Sequence, residues 1–240
     1  MKIVVIGPGS MGSAFAEHFA KAHDVVLCKR HDKKADAIKG REIVLLAVKP
    51  KELGTISKEI GASLTKEQIL ISMLAGVTLD TLRTHFPHVT LLRIMPNLAL
   101  VCNEAVIGIV EDHSLSPQQK EKINTLFKGL GLLPWVPESK INAISALAGS
   151  GPAFIYLIIE AMIEAGIYMG LTADEAKEFT LQMIKGSVEL LKFSGKTPAE
   201  VTYRIASPGG TTIYGIKKME EEGVRGGIIN GLVETYKRNL

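Results

Sequence analysis

Apolar and polar positions follow two different rhythms along the chain. Runs rich in Val, Ile and Leu at 2–6, 25–29, 43–48, 69–73, 90–94 and 105–110, with a shorter one at 132–136, are apolar at nearly every position. A strand with one wet face alternates, whereas a strand covered on both faces does not, so these runs predict a parallel sheet between helices. Segments at 10–22, 50–60, 79–86 and 117–130 lie between them and carry apolar residues at helical spacing. Such alternation predicts an α/β fold built on a doubly wound, mostly parallel sheet of the Rossmann type.

After Pro137 the strand rhythm stops. Helical periods predict helices at 140–148, 153–169, 173–193, 199–206, 211–222 and 224–238. Thr172 followed by Glu175 has the spacing of a capping box, and Gly170, Gly195 and Gly223 stand where helices should end. The helix after Pro152 is apolar on nearly every face except at Glu160 and Glu164. Two acids near the middle of a bilayer would be costly, so no membrane span is expected. The helix must then be covered by protein, either at the centre of one bundle or against a second copy of the chain. A helical domain of this size has little interior, which favours a homodimer. The expected boundary falls near residue 150, with domains 1–150 and 151–240.

Composition narrows the function classes. The net charge of +3 is spread without a basic block, so no nucleic-acid partner is expected. Cys28 and Cys102 are the only cysteines, too few for a disulfide scaffold or a four-ligand zinc site. The six histidines are scattered, and no metal site is expected. Reduced thiols and a start that runs straight into Gly7-Pro8-Gly9, too short for a leader, point to the cytoplasm.

Gly7-Pro8-Gly9-Ser10-Met11-Gly12 follows a predicted strand and opens a predicted helix. In that context the first glycine makes the tight turn, the second admits a pyrophosphate to the backbone, and the third packs helix on strand. The alternative is a plain glycine-rich turn. Where an acid would bind the ribose of NAD, the second strand ends Cys28-Lys29-Arg30-His31, with Lys33 and Lys34 beyond. Two cations can pair with a 2′-phosphate, so NADPH is expected over NADH, with NADH possible because Asp32 is close by.

Further motifs are Ala47-Val48-Lys49-Pro50, Ser72-Met73-Leu74-Ala75-Gly76-Val77-Thr78 and Arg93-Ile94-Met95-Pro96-Asn97. Gly149-Ser150-Gly151-Pro152-Ala153 and Ser207-Pro208-Gly209-Gly210-Thr211-Thr212-Ile213 follow. In this order they resemble the pyrroline-5-carboxylate reductases, from Lys2 to about Arg238. The most specific parts are 148–153 together with 207–212. The resemblance implies reduction of 1-pyrroline-5-carboxylate to L-proline, the last step of proline biosynthesis, with hydride from NADPH or NADH. It also implies a Rossmann domain followed by an all-helical substrate-binding and dimerisation domain, as a homodimer that can assemble into a decamer. Carried over by position, Gly7, Pro8, Gly9, Ser10, Met11, Gly12, Lys29, Arg30, Val48, Lys49 and Ala75 would face the cofactor, and Asn97 would lie near the nicotinamide. Ser207, with the backbone of Thr211 and Thr212, would hold the substrate carboxylate, and the Thr212 hydroxyl would meet the ring nitrogen. On its own, 207–212 reads equally as an interhelical turn with a helix cap.

Three departures from the family pattern stand out. Leu98-Ala99 replaces a usual Thr-Pro. About a dozen residues separate Lys29 from Ile43 where the family fits a helix and a strand, so one edge strand is expected to be missing. Arg204 replaces an uncharged group near the cofactor. Two other readings remain: a related imine or hydroxyacid reductase, and a catalytically inactive NADP-binding sensor or scaffold. The β-hydroxyacid dehydrogenases need a lysine on the helix after the glycine-rich segment, and 141–176 contain no Lys, Arg or His.

Overall fold

The computed structural model describes residues 1–238. The chain divides into two compact units, Met1–Gly149 with 236–238, and Ser150–Thr235.

The first unit begins with β1 (Lys2–Ile6), α1 (Ser10–Ala20), β2 (Asp24–Cys28), α2 (Lys34–Ala37) and β3 (Ile43–Leu46). It continues through α3 (Leu53–Ile60), β4 (Ile69–Ser72), α4 (Leu79–His85) and β5 (Thr90–Met95). Then come β6 (Ala105–Val106), β7 (Gly108–Val110), α5 (Pro117–Phe127), β8 (Gly131–Leu132), β9 (Trp135–Val136) and α6 (Ile141–Ile144). The main sheet has the order β2-β1-β3-β4-β5-β7-β9. The first five strands are parallel, and β7 joins antiparallel to β5. Period-2 alternation sends Ile3 and Val5 to one face and Val4 and Ile6 to the other, and all four are fully buried. On the first face α1 and α5 meet through Phe15, Phe19 and Phe127, with ring centroids 5.5–5.9 Å apart. On the other, Leu53, Ile56 and Ile60 of α3 and Leu79 and Leu82 of α4 complete the core. Both faces are therefore dry, which explains the uninterrupted apolar runs.

Two expected strands are each split. Residues 105–110 form β6 and β7, and 132–136 hold β9 while β8 starts earlier; β6 and β8 form a separate two-stranded ribbon. The cause is Pro134. Ile107 N donates to the Leu132 carbonyl and Ile109 N to the Pro134 carbonyl, but proline has no N–H to return a bond to Ile107.

No strand lies between β2 and β3, and β2 is the sheet's edge, with only the single-turn α2 in the connection. One side chain holds the shortened stretch. Gln68, 5 % exposed, donates from Nε2 to the carbonyls of Ile38 (2.8 Å) and Arg41 (2.7 Å), while its Oε1 accepts from Thr65 N (2.9 Å).

The expected break between helices at 149–152 is absent. A helical run extends over Glu138–Tyr168, with a π-helical turn at Ser145–Ser150. By length and composition this run could cross a membrane, and only 6% of its most apolar window is buried.

The second unit holds α7 (Gly151–Tyr168), α8 (Ala173–Ser194), α9 (Pro198–Ile205), α10 (Thr211–Glu221) and α11 (Val224–Arg238). Helices α7 and α8 pack closely where Gly166 faces Ala176; a Cβ on Gly166 would lie 2.9 Å from that of Ala176. Thr172 and Glu175 form the expected capping box, and Thr197 and Glu200 form a second. Gly166 is the only buried residue of α7, so this helix is not the centre of a bundle within one protomer. Tyr156, Leu157, Phe179 and Tyr214 are more than half exposed.

Candidate active site

The turn after β1 shows why each of its glycines is glycine. Gly7 has φ +119°, and a Cβ there would lie 2.4 Å from the Ala47 carbonyl oxygen. At Gly12 a Cβ would come 2.0 Å from the Gly7 oxygen, so α1 can approach the strand only without one. Gly9 has nothing within 4 Å of the same position and leaves its backbone open. It is the N-cap of α1 and offers no side-chain cap, and no acid lies in the first turn. Ser10, Met11 and Gly12 thus begin a helix whose first N–H groups and positive dipole end are free for an anion.

A cleft of about 700 Å³ opens beside this turn. Of the expected residues it brings together Gly7, Pro8, Gly9, Lys29, Arg30, Val48 and Lys49. Gly7 and Ala47 meet in its wall, and its basic end comes from the residues after β2. Asp32 Oδ2 accepts from Lys29 N (2.7 Å), which folds that turn and engages the nearby acid. Lys34 Nζ is held by the Arg30 carbonyl (3.2 Å) and by Glu59 (3.3 Å). The exposed side chains of Lys29 and Arg30 make no hydrogen bond or ion pair among the described residues and remain available to a phosphate. This cradle fits a dinucleotide phosphate: an open glycine, an uncapped helix start and two free cations. Lys34, Thr55 and Glu59 also line the cleft and were not expected there. Lys34 stood next to the predicted cations, but the Glu59 contact joins positions 25 apart and leaves no local trace.

Ala75 and Asn97 lie outside that cleft lining, on the turns after β4 and β5. Ala75 is exposed beside Gly76, whose φ is +72°. Asn97 is 9 % exposed and both ends of its amide are occupied: Oδ1 accepts from Val106 N (3.1 Å) and Nδ2 donates to the Ala148 carbonyl (2.9 Å).

In the second unit Ser207 and Thr211–Thr212 flank a tight turn. Gly209 has φ +70°, Gly210 N donates to the Ser207 carbonyl (3.0 Å), and a Cβ on Gly210 would lie 2.5 Å from Ser207 Oγ. Gly210 is the N-cap of α10 and again supplies no side-chain cap. By contrast α4, α5, α8 and α9 are each closed by a Ser or Thr hydroxyl. The helix starts beside Gly9 and Gly210 are left open, with Ser207, Thr211 and Thr212 exposed around the second. Arg204 is exposed near the end of α9, and Leu98 is exposed in the turn after Asn97. Among the described residues no group of three or more His, Cys, Asp or Glu could hold a metal ion.

Comparison with known proteins bears on this geometry. A family model described as "Pyrroline-5-carboxylate reductase dimerisation" matches residues 138–240, and one described as "NADP oxidoreductase coenzyme F420-dependent" matches 32–76. The pyrroline-5-carboxylate reductase of Methanosarcina acetivorans is 32% identical, over 99% of this chain and 96% of that protein. This chain belongs to the pyrroline-5-carboxylate reductase family. A second family member, pyrroline-5-carboxylate reductase 3 of Danio rerio, is 38% identical over 85% of the chain and 71% of its own length. Among solved structures, the Plasmodium falciparum pyrroline carboxylate reductase with NADP bound superposes with a TM-score of 0.91 at 26% identity, covering 100% of this chain and 97% of that one. The pyrroline-5-carboxylate reductase of Streptococcus pyogenes gives 0.89 at 30%, covering 100% and 98%. A 3-hydroxyisobutyrate dehydrogenase of Mycobacterium tuberculosis, at 12% identity and a TM-score of 0.51, shares the fold alone. In this member of the reductase family the Rossmann unit and the helical segment each carry a helix with a glycine N-cap, Gly9 and Gly210, and only the single-turn α2 connects β2 to β3.

Proposed function

We propose that this chain reduces 1-pyrroline-5-carboxylate to L-proline with hydride from NADPH, NADH being a second donor. The observation that carries it is the pair of uncapped helix starts, one at Gly9 and one at Gly210, each flanked by the residue types its anion requires. We assign 1–150 as the dinucleotide-binding domain and 151–240 as the substrate-binding and dimerisation domain.

The N–H groups of Ser10, Met11 and Gly12 hold the pyrophosphate, and Lys29 and Arg30 pair with the 2′-phosphate. Val48, Lys49 and Ala75 bound the dinucleotide along the strand ends, with Asn97 on the next turn. When bound, the reduced nicotinamide supplies the hydride. Ser207 and the N–H groups of Thr211 and Thr212 seat the substrate carboxylate, a placement the α10 dipole favours. The Thr212 hydroxyl meets the imine nitrogen, orients the ring and shares its proton, so that the carbon accepting hydride is electron-poor. The chain supplies placement and electrostatics.

The apolar faces of α7 and α8 are covered by a second copy of the chain, giving a homodimer, and dimers assemble further into a decamer. Covered in this way, the long apolar run belongs to a soluble cytoplasmic enzyme and not to a membrane span.

The decisive assay is loss of NADPH absorbance on adding pyrroline-5-carboxylate. Wild type should turn over, and Thr212→Ala should lose about 100-fold in kcat while still binding NADPH. Tight NADPH binding with no turnover in wild type would leave a sensor or scaffold instead.

A further inference from the structure

The end of β5 grips one segment of chain at two points. Arg93 Nη1 donates to Glu138 Oε1 at 2.7 Å, and the same oxygen accepts from Leu79 N at 2.8 Å. Four residues on, Asn97 Nδ2 donates to the Ala148 carbonyl at 2.9 Å. Between these grips, α6 lies tight on β7: a Cβ on Gly108 would sit 3.0 Å from Ile144 Cδ1. Residues 138–148 are thereby fastened to the sheet at both ends.

The Ala148 carbonyl has a particular reason to need Asn97. An α-helix would pair it with the N–H of residue 152, and residue 152 is proline. Proline lacks the donor, and its ring crowds the carbonyl four residues back. The chain answers with the π-helical turn Ser145–Ser150, which widens the helix where the ring would clash. Asn97 donates to that carbonyl from outside the helix. Its Oδ1 meanwhile ties Val106, so one side chain joins the turn after β5, the start of β6 and the π-turn.

We propose that Asn97 is a positioning residue for the reaction, holding the π-turn open and fixing the turn after β5 that bounds the nicotinamide end of the site. The sheet order supports this place. The cations follow β2, the glycine turn follows β1, and β4 and β5 are next beyond β3, so an extended dinucleotide runs toward the ends of β4 and β5. Buried, with its carbonyl oxygen and one N–H engaged by backbone groups, the Asn97 amide acts through the backbone it holds.

This rests on the reductase assignment, and the test separates the two. In Asn97→Ala, the Kd for NADPH and the KM values should stay within about twofold while kcat falls about tenfold or more, since a small misplacement costs rate before affinity. Amide exchange at 145–150 should accelerate about tenfold or more, with β1 and β3 still protected. Adding Pro152→Ala restores a backbone donor for Ala148. In this double variant Tm should recover toward wild type while kcat stays low, because the turn closes to α pitch. Three results would overturn the proposal: Asn97→Ala turning over within about twofold of wild type, unchanged exchange at 145–150, or kcat recovering in step with Tm in the double variant. A wild type that binds NADPH but leaves the imine untouched sinks the reductase assignment alone, and exchange at 145–150 still decides whether Asn97 holds the turn.

Discussion

At the scale of single residues, the glycines at 7 and 12 have to be glycine for different reasons. Gly7 needs both its backbone angle and an absent side chain, whereas Gly12 needs only the absent side chain. Replacing Gly12 by Ala places a methyl 2.0 Å from a carbonyl oxygen, so α1 must shift away from the strand. The expected outcome is a loss of NADPH affinity of about tenfold or more together with a lower Tm, read by cofactor titration and thermal melting. This part of the site was legible in the sequence because all its constraints lie within six neighbouring positions. Asn97 was legible only as a position. Its two partners lie 9 and 51 residues away, and nothing local distinguishes a structural amide from one that reaches a ligand.

At the scale of elements, the long apolar runs of β1, β3, β4 and β5 announced themselves because both sheet faces are buried. The irregular pieces did not, and proline is the common cause. Pro134 splits one expected strand pair by withholding a single donor, and Pro152 converts an expected helix break into a π-turn inside a continuous run. In each case the outcome depends on which carbonyl loses its partner, which is fixed only after folding. The shortened connection after β2 is different. Its missing strand followed from chain length, but its fastening by Gln68 came from a residue 27 to 30 positions away. Gln68→Leu leaves two carbonyls and the Thr65 N–H without that partner, and should cost about 2 kcal/mol or more in urea unfolding while leaving the Gly9 turn intact.

At the scale of the whole molecule, the single chain leaves a broad apolar surface uncovered on α7 and α8. Tyr156 and Leu157, on α7, are each about two-thirds exposed, at 67% and 66%. Patches of this kind mark association surfaces. Charge placed there should block assembly: Tyr156→Glu with Leu157→Glu should shift the mass in light scattering to that of a monomer and remove most turnover. Retained dimers would place the interface elsewhere. The change from strand to helix near residue 137 was visible in the sequence, as was the greasiness of the 153–169 helix; the continuity of the run through 149–152 was not.

The truncated sheet edge shifts the burden of cofactor recognition. With β2 as the last strand, no further strand flanks the exposed charges of Lys29 and Arg30, and on the proposed assignment these would carry the grip on the 2′-phosphate end of the cofactor. The attraction of exposed charges is screened by salt, over a Debye length that contracts from about 10 Å to about 3 Å between roughly 0.1 and 1 M. Apparent affinity for NADPH should therefore weaken more steeply than that for NADH as salt rises, since NADH shares the pyrophosphate but lacks the 2′-phosphate, so that the two coenzymes converge in brine.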